Sequence, residues 1–308
     1  MTRIDEVKRS KLSNHLDHIR SSLSAINDIL NKLTIHPLFW LVVGIGVITG
    51  RFLEIIMLIV IVFIHEMGHV CAALFFRWRI KKIELLPFGG VAEMDEHGNR
   101  PLKEELLVIA SGPLQHVWMV IASYLFFLIG FIDEATYQLF LKHNFMILVF
   151  NLLPIWPLDG GKLLFLVASY KYPFIRAHRY ALKTSIVFVC LFMIAMVMIN
   201  PFHLNAWIVL MFVGFAHYTE WKQRKFIHIR FLLERYYGRS HEFKTLKPIV
   251  VEETDQIVDV FSKFCRGCKH QIIMRHNDRD QITFDENELL HAYFSEKRTT
   301  GTIAEIFC

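Results

Sequence analysis

The chain has 308 residues, of which 54% are hydrophobic and 20% are charged, and its formal net charge at pH 7 is +5. The apolar fraction exceeds the globular norm and falls in long blocks, which excludes an ordinary soluble protein and indicates a polytopic membrane protein. Residues 1–33 are polar, and no small-residue cleavage site follows the first apolar block, so no cleaved secretory signal is predicted.

The polar head, residues 1–34, is predicted to form an amphipathic helix. Its apolar residues alternate spacings of four and three over about three heptads. They are Leu12, Leu16, Ile19, Leu23, Ile26, Leu30 and Leu33. This stripe favours a helix that lies on the membrane surface or on the protein itself, and a coiled coil with a second copy or a partner is the alternative.

Six membrane spans are predicted within residues 35–220. A hydrocarbon core of roughly 30 Å is crossed by about 20 apolar residues of helix. The candidate spans are 35–50, 53–76, 105–131, 144–169, 184–200 and 204–220. The first of them is short, and Pro154 and Pro157 interrupt the fourth.

The distribution of positive charge predicts the orientation of these spans. Lys and Arg concentrate in the loops after the second and fourth spans and after the sixth, whereas the alternate loops hold only Arg51 and Lys142. The positive-inside rule therefore predicts that both termini face the cytosol. No repeat relates the two halves of the chain, which disfavours a transporter.

The segment RIKKIELLPFGGVAEM, residues 79–94, is predicted to form a hairpin after the second span. Gly89-Gly90 joins two short apolar stretches, as is typical of a tight connection between strands. We interpret it as a re-entrant hairpin, with a plain surface hairpin as the alternative.

Two further segments follow the sixth span. Residues 221–239 form a basic juxtamembrane linker with interleaved aromatics, which favours anionic lipid over nucleic acid as its partner. Residues 240–308 are predicted to be a small cytosolic α/β domain, with strands in KPIVVEE and HQIIMR and helices in TDQIVDVFSKF and DENELLHAYFSEK.

The sequence HEMGH, residues 65–69, lies in the middle of the second apolar block. His65 and His69 are four residues apart and share one face of a helix, with Glu66 beside the first. In this HExxH arrangement two imidazoles bind zinc and the glutamate handles the proton of a metal-bound water. An ionisable side chain at membrane depth costs roughly 2.5–3.5 kcal/mol, so such residues are usually functional. A structural pair of histidines bonded to the backbone is the alternative.

A catalytic zinc needs a third protein ligand and one open position. The fourth span, NLLPIWPLDGGKLLF, supplies Asp159, which is the only carboxylate in its apolar block. At 1.5 Å per residue, Asp159 and the histidine pair are predicted to lie roughly 10–17 Å inside the cytosolic boundary. Broken backbone at this depth is tolerated where it lines a water-filled cavity, which a hydrolase needs. The alternative is that Asp159 merely caps the half-helix after the break.

Three other features have less specific patterns. His116, in GPLQH, is interpreted as a packing or hydrogen-bonding histidine rather than a ligand, and Gly112-Pro113 as a point of bending or close packing. CRGCKH, residues 265–270, has the C-x-x-C spacing. We interpret its cysteines as ordinary cytosolic thiols, with a second zinc site as the alternative.

The motif pair HEMGH and NLLPIWPLDG resembles the site-2 protease family of intramembrane zinc metalloproteases. The pattern of that family combines HExxH on one transmembrane helix with N-x-x-P-x-x-x-L-D-G on another. The resemblance implies that His65, His69 and Asp159 bind one catalytic zinc ion. It also implies Glu66 as the general base.

The same resemblance implies how a substrate is held. Asn151 and Pro154 belong to the second motif and are expected to bind the substrate segment near the metal. Phe88 and Gly89 lie at the turn of the predicted hairpin, which is expected to hold the substrate extended by strand addition.

The likeness runs from about residue 35 to residue 300 and is strongest to family members of endospore-forming bacteria. It rests on LLPFGGVAEMDEHGNRPLKEE, GPLQH and HIRFLLERYYG beside the two motifs. It implies the pro-sequence of the sporulation sigma factor sigma-K as substrate, inhibitory or assembly membrane proteins as partners, and the mother-cell membrane around the forespore as location. The tail resembles a CBS domain, which implies ATP binding and a homo-oligomer formed through residues 240–308.

The predicted fold is an all-α polytopic membrane protein of about six transmembrane helices, with a site-2 protease-like core and a small cytosolic CBS-like α/β domain. The predicted function is a zinc metalloendopeptidase that cuts a membrane-associated pro-protein near the cytosolic face. A membrane zincin of another clan is disfavoured because no span carries the downstream E-x-x-x-D-type pattern. A nucleotide-regulated transporter or inactive scaffold is disfavoured by the intact Glu66.

Overall fold

A computed structural model gives the fold of most of the chain. The described residues are 33–35, 37–86, 89–94, 100–199, 201, 204–237, 245–276 and 280–307. The predicted head helix lies outside them, except that Leu33 and Thr34 belong to strand β1 (Leu33–Ile35). Leu33, the last residue of the predicted stripe, therefore lies in a strand, because β1 pairs in parallel with a later strand, with Leu33 opposite Ile83.

The chain is mostly helical up to residue 237. Its helices are α1 (Pro37–Ile48), α2 (Phe52–Phe75), α3 (Leu102–Leu128), α4 (Glu134–Asn151), α5 (Asp159–Lys171), α6 (Phe174–Ile199) and α7 (Leu204–Tyr237). Among the described residues, α2, α3 and α6 are long and apolar enough to cross a membrane. The first predicted span is only the 12-residue helix α1, about 18 Å long, which is shorter than a hydrocarbon core.

The fourth predicted span is broken, as its prolines indicate. Helix α4 ends at Asn151 and α5 begins at Asp159, so seven residues without helical structure separate them. The start of α5 packs closely on the end of α4: a Cβ added at Gly160 would lie 2.2 Å from the carbonyl oxygen of Leu152. Glycine at this position therefore lets α5 begin directly against the break.

A hairpin is present and lies against α2, but Gly89 and Gly90 belong to its second strand and do not form the connection that the sequence predicted. Strands β2 (Ile80–Leu86) and β3 (Gly89–Met94) pair antiparallel, with Leu86 opposite Gly89. The sheet order is β1-β2-β3, so β3 is an edge strand of the described sheet. Strand β3 contacts α2, and Ile80 is buried against Val70 of that helix. The hairpin thus adjoins the helix that carries HEMGH.

The predicted linker is not a separate element. Helix α7 runs for 34 residues, so the basic segment continues the sixth predicted span as a helix. Beyond it come β4 (Ile249–Glu252), α8 (Ile257–Ser262), β5 (Gln271–His276), β6 (Asp280–Asp285), α9 (Glu286–Phe294) and α10 (Ile303–Phe307). The two predicted strands and two predicted helices of the tail are all present. Strand β6, which pairs antiparallel with β5, was not predicted.

The tail shares one apolar core with the ends of the membrane helices. The rings of Phe174 on α6 and Phe231 on α7 stack with centroids 4.2 Å apart. The backbone N–H of Phe174 donates to the carbonyl of Phe264 in the tail at 3.0 Å. Arg266 of the tail pairs with Glu105 in the first turn of α3. The tail is therefore packed against the helices rather than tethered to them.

Arg235, near the end of α7, is buried in this interface. Its guanidinium binds both carboxylate oxygens of Glu286, at 2.9 and 2.8 Å. It also donates to the carbonyls of Cys265 and Cys268, at 2.8 and 2.6 Å. The lipid-facing role predicted for the basic segment therefore does not extend to Arg235, because Glu286 and the C-x-x-C turn occupy its donors.

Removing this buried charge should destabilise the packed tail. Arg235→Met leaves the Glu286 carboxylate buried without its partner, which typically costs about 3–5 kcal/mol of unfolding free energy. The matched control is Lys269→Met, at the partly exposed pair with Asp285, which should cost less than about 1 kcal/mol. Urea unfolding of both variants, followed by far-UV circular dichroism, measures the difference. Equal losses would contradict the structural role of Arg235.

Candidate active site

Three ionisable side chains converge on one face of α2. His65, Glu66 and His69 are all buried, although the surrounding helix is apolar. One potential ligand atom from each lies within 4.8 Å of the others. The i, i+4 spacing of the histidines aligns their rings on the same side of the helix.

Asp159 reaches the same point from α5. Its Oδ2 atom lies 3.0 Å from Nε2 of His65 and 3.0 Å from Nε2 of His69. The two Nε2 atoms are 3.2 Å apart. The break between α4 and α5 makes this possible, since Asp159 is the first helical residue after it. The structure thus brings together the two motifs that the sequence separates by ninety residues.

The three atoms have the spacing of a metal coordination triangle. Zinc–ligand bonds of about 2.0–2.1 Å in tetrahedral geometry place neighbouring ligand atoms roughly 3.3 Å apart. The observed separations of 3.0–3.2 Å match this value. Two imidazole nitrogens and one carboxylate oxygen form a donor set suited to a catalytic zinc with one open position.

Helix α3 closes the third side of the site without filling it. A Cβ added at Gly112 would lie 2.2 Å from Nε2 of His69 and 2.8 Å from Nε2 of His65. Gly112 therefore leaves room for the two imidazoles to point at a common centre. The close packing that the sequence suggests for Gly112-Pro113 takes place at the histidine pair itself.

Comparison with known proteins gives the family. The sequence profile of peptidase family M50 matches residues 53–140 and 129–192. Stage IV sporulation protein FB of Bacillus subtilis is 46% identical over 279 residues, which cover 91% of this chain and 97% of that protein. The chain belongs to peptidase family M50, the site-2 proteases.

Two further comparisons, both with Methanocaldococcus jannaschii, agree with this assignment. A zinc metalloprotease of Methanocaldococcus jannaschii is 38% identical over 132 residues, or 41% of this chain and 37% of that protein. The solved structure of the site-2 protease from Methanocaldococcus jannaschii has a TM-score of 0.50 and 29% identity, and covers 61% of this chain and 89% of that one. The M50 chain is thus an intramembrane zinc metalloprotease with a site-2 protease-like fold.

In the M50 site, His65, His69 and Asp159 each have a second polar atom that contacts a neighbouring protein group. Nδ1 of His69 lies 2.8 Å from the carbonyl oxygen of Val108 on α3, to which it donates. The ammonium of Lys162 donates to Oδ1 of Asp159 at 3.3 Å, which leaves Oδ2 for the histidine side. Nδ1 of His65 lies 3.0 Å from Nε2 of His116. These partners orient the side chains toward the common centre.

Some of these partners carry no obvious sequence signal. Lys162 is one helical turn after Asp159, so its i, i+3 spacing was a usable signal for a carboxylate partner. Asn144, which bonds His116, has none, because the contact joins residues 28 positions apart on two helices.

Of the four predicted substrate-binding residues, Asn151 and Pro154 lie at the break. Asn151 is buried at the last position of α4, where its Nδ2 donates to the carbonyl of Ile147 at 3.1 Å. Pro154 lies in the non-helical segment that follows. Gly89 is the first residue of β3, and Phe88 lies outside the described residues.

The C-x-x-C turn of the tail differs from a metal site. Both nitrogens of His270 are engaged: Nδ1 donates to the carbonyl of Lys247 at 3.0 Å, and Nε2 accepts the backbone N–H of Cys265 at 2.8 Å. The imidazole that a second zinc would need is therefore committed to the backbone. The pKa of the Cys265 thiol is lowered to about 6, chiefly because Cys268 donates a hydrogen bond to it.

A methyl group at Gly112 should disable the site. Gly112→Ala forces the His69 ring aside, and misplacement on this scale typically lowers turnover by roughly 10²-fold. The matched control is Gly214→Ala on α7, where nothing lies within 4 Å of the added Cβ. Cleavage of a membrane substrate by the two purified variants measures the effect. Unchanged cleavage by Gly112→Ala would contradict the described packing of α3 against the histidines.

Proposed function

We propose that His65, His69 and Asp159 hold a catalytic zinc ion and that Glu66 is the general base of peptide hydrolysis. The observation that carries this proposal is the position of Asp159 Oδ2, 3.0 Å from Nε2 of both histidines. These three atoms come from two separate helices. Ionisable side chains in apolar surroundings are usually functional, and a purely structural contact would not need three potential metal ligands at one point.

Glu66 is suited to handle the protons of the reaction. When bound, zinc lowers the pKa of a coordinated water to about 7 and polarises the carbonyl under attack. Glu66 is buried next to His65 and offers a carboxylate oxygen within 4.8 Å of the histidine ligand atoms. It accepts the proton of the attacking water and returns it to the departing amine.

The substrate segment is held extended beside the site. Strand β3 is an edge strand of the described sheet and contacts α2, so a peptide can add to it as a further strand from Gly89 onward. Phe88, which precedes Gly89 in the chain, binds the same peptide, and Asn151 and Pro154 contact it from the helix break. An extended chain exposes the scissile bond, which a helical transmembrane substrate does not.

The substrate is the pro-sequence of a sigma factor of the sigma-K type, cut near the cytosolic face. The support for this is the 46% identity to stage IV sporulation protein FB over nearly the whole length of both chains. The same likeness supports inhibitory or assembly membrane proteins of a sporulation complex as partners. It also supports a location in the mother-cell membrane around the forespore.

Six spans with both termini in the cytosol remain the proposed topology. The three helices that are long and apolar enough account for three crossings. Helices α4 and α5 together, the first half of α7, and the short helix α1 would supply the others. The proposed divisions are the head (1–34), the protease domain (35–220), the juxtamembrane segment that continues α7 (221–239) and the regulatory tail (240–308). The head and the basic segment, apart from Arg235, contact lipid.

The tail is proposed to act as one CBS-like repeat that binds ATP between two copies of the chain. A cavity of about 440 Å³ in the tail has Asn287, Glu288, His291 and Glu296 among its lining residues. The carboxylates of Glu288 and Glu296 would repel a triphosphate, so a nucleotide site inside one tail is disfavoured. A site completed by a second copy agrees with the proposed homo-oligomer.

Replacing Glu66 should separate metal binding from catalysis. Glu66→Gln is expected to retain zinc and to lose cleavage of a pro-sigma-K-type substrate by about 10²–10⁴-fold, because the proton acceptor is removed. Asp159→Asn should lose the zinc as well. The control is Glu54→Gln, in the first turn of the same helix, which should match wild type in both measurements. Undiminished cleavage by Glu66→Gln would overturn the proposed role.

Nucleotide binding by the tail is tested separately. ATP should raise the thermal midpoint of the purified full-length chain and increase the oligomeric fraction in light scattering, since a ligand stabilises the state that binds it. An unchanged midpoint and an unchanged mass at millimolar ATP would eliminate the proposal.

A further inference from the structure

A series of buried hydrogen bonds runs outward from His65 through two neighbouring helices. Nδ1 of His65 lies 3.0 Å from Nε2 of His116 on α3. Nδ1 of His116 lies 2.8 Å from Oδ1 of Asn144 on α4. Nδ2 of Asn144 donates to the carbonyl oxygen of His116 at 3.2 Å. His116 and Asn144 belong to neither of the two sequence motifs.

The bond from Asn144 to the carbonyl of His116 determines which atom donates in each of the other hydrogen bonds. The carbonyl of His116 can only accept, so the Asn144 amide must turn its NH₂ group toward it. Its Oδ1 then faces His116, whose Nδ1 must carry the proton. Nε2 of His116 is left with a lone pair, and it accepts the Nδ1–H of His65. His65 therefore keeps the lone pair of Nε2 free on the side of Asp159.

His116 cannot itself replace His65 as a ligand in this arrangement. Its Nε2 faces Nδ1 of His65, whereas Asp159 lies on the Nε2 side of that ring. The two nitrogens of the His65 ring thus have different partners. Nε2 faces His69 and Asp159, and Nδ1 faces His116.

Burial makes His65 depend on these bonds for its orientation. His65 and His116 are each 1% exposed and Asn144 is 2% exposed, so solvent cannot replace a lost partner. A polar atom left alone in such surroundings is costly, and the ring would turn to satisfy it elsewhere.

We propose that His116 and Asn144 are positioning residues that fix the tautomer and the ring orientation of His65 for zinc binding. The inference rests on the proposed zinc site and extends it to α4, which contributes none of the three proposed ligands. His69 is oriented by a backbone carbonyl, that of Val108, whereas His65 is oriented by side chains from two other helices.

The test is the rate at which zinc leaves the purified full-length chain in detergent when a chelating dye is added. His116→Phe keeps the ring volume and removes the acceptor, and zinc release should become about 10–100-fold faster. The matched control is His143→Phe, the same change at a buried histidine beside Asn144. Nδ1 of His143 donates to the carbonyl of Leu139 on its own helix at 2.8 Å and takes no part in the series. Its release rate should stay within about twofold of wild type.

Two further variants distinguish positioning from general packing. His116→Gln restores an acceptor for His65 and should recover much of the zinc retention, which lost packing would not explain. Asn144→Leu should accelerate release less than His116→Phe does. Because the two residues act through one series of bonds, adding Asn144→Leu to His116→Phe should have little further effect.

Several outcomes would overturn the inference. Release from His116→Phe at the wild-type rate, equal acceleration by His143→Phe, or multiplicative effects in the double variant would each do so. If His116→Phe does not fold, as judged by circular dichroism and gel filtration, wild-type zinc retention by Asn144→Leu would overturn the inference in its place. A wild-type chain that binds no zinc would instead refute the proposed function.

Discussion

Satisfying polar atoms inside an apolar region is the constraint on which this structure depends. Two imidazoles and a carboxylate meet within 3.2 Å of one another among helices that face lipid. Each of these groups has a second polar atom that points away from the meeting point. Because His65, His69 and Asp159 are buried, protein groups must bond those atoms. The carbonyl of Val108, the ammonium of Lys162 and the ring of His116 do so. The site therefore needs α3, which carries neither motif, as well as α2 and α5.

The helix break serves the same constraint. A continuous helix through residues 144–169 would place Asp159 inside the helix, away from any helix N-terminus. Ending α4 at Asn151 and restarting at Asp159 puts the carboxylate on a helix N-terminus, where the free N–H groups favour negative charge. Gly160 allows the restart to pack on the carbonyl of Leu152. The break thus positions the carboxylate and stabilises its charge at once.

Local patterns in the sequence were sufficient to predict the features that depend on residues close together in the chain. The histidine spacing, the prolines of the broken span, the presence of a hairpin after α2 and the four predicted tail elements each follow from residues within a few positions of one another. Contacts between distant segments were not predictable in this way. The parallel pairing of β1 with β2, the bond from His116 to Asn144 and the burial of Arg235 all join residues many positions apart. Arg235 is the clearest case, because nothing in a run of basic residues distinguishes the one that meets Glu286.

The common core of the tail and the helices limits how the tail can act. Arg266 lies over the ring of Phe165 on α5, 5.5 Å from its centroid, and that ring meets Phe174 edge-on. Phe165 is six residues along the helix that Asp159 begins. A rearrangement of the tail would therefore displace the ring of Phe165, and with it the helix that begins at Asp159. No hinge between the tail and the helices is needed for this. Shortening the chain after α7 would expose the apolar surface of α5, α6 and α7 that the tail covers, so the tail and these helices depend on one common core.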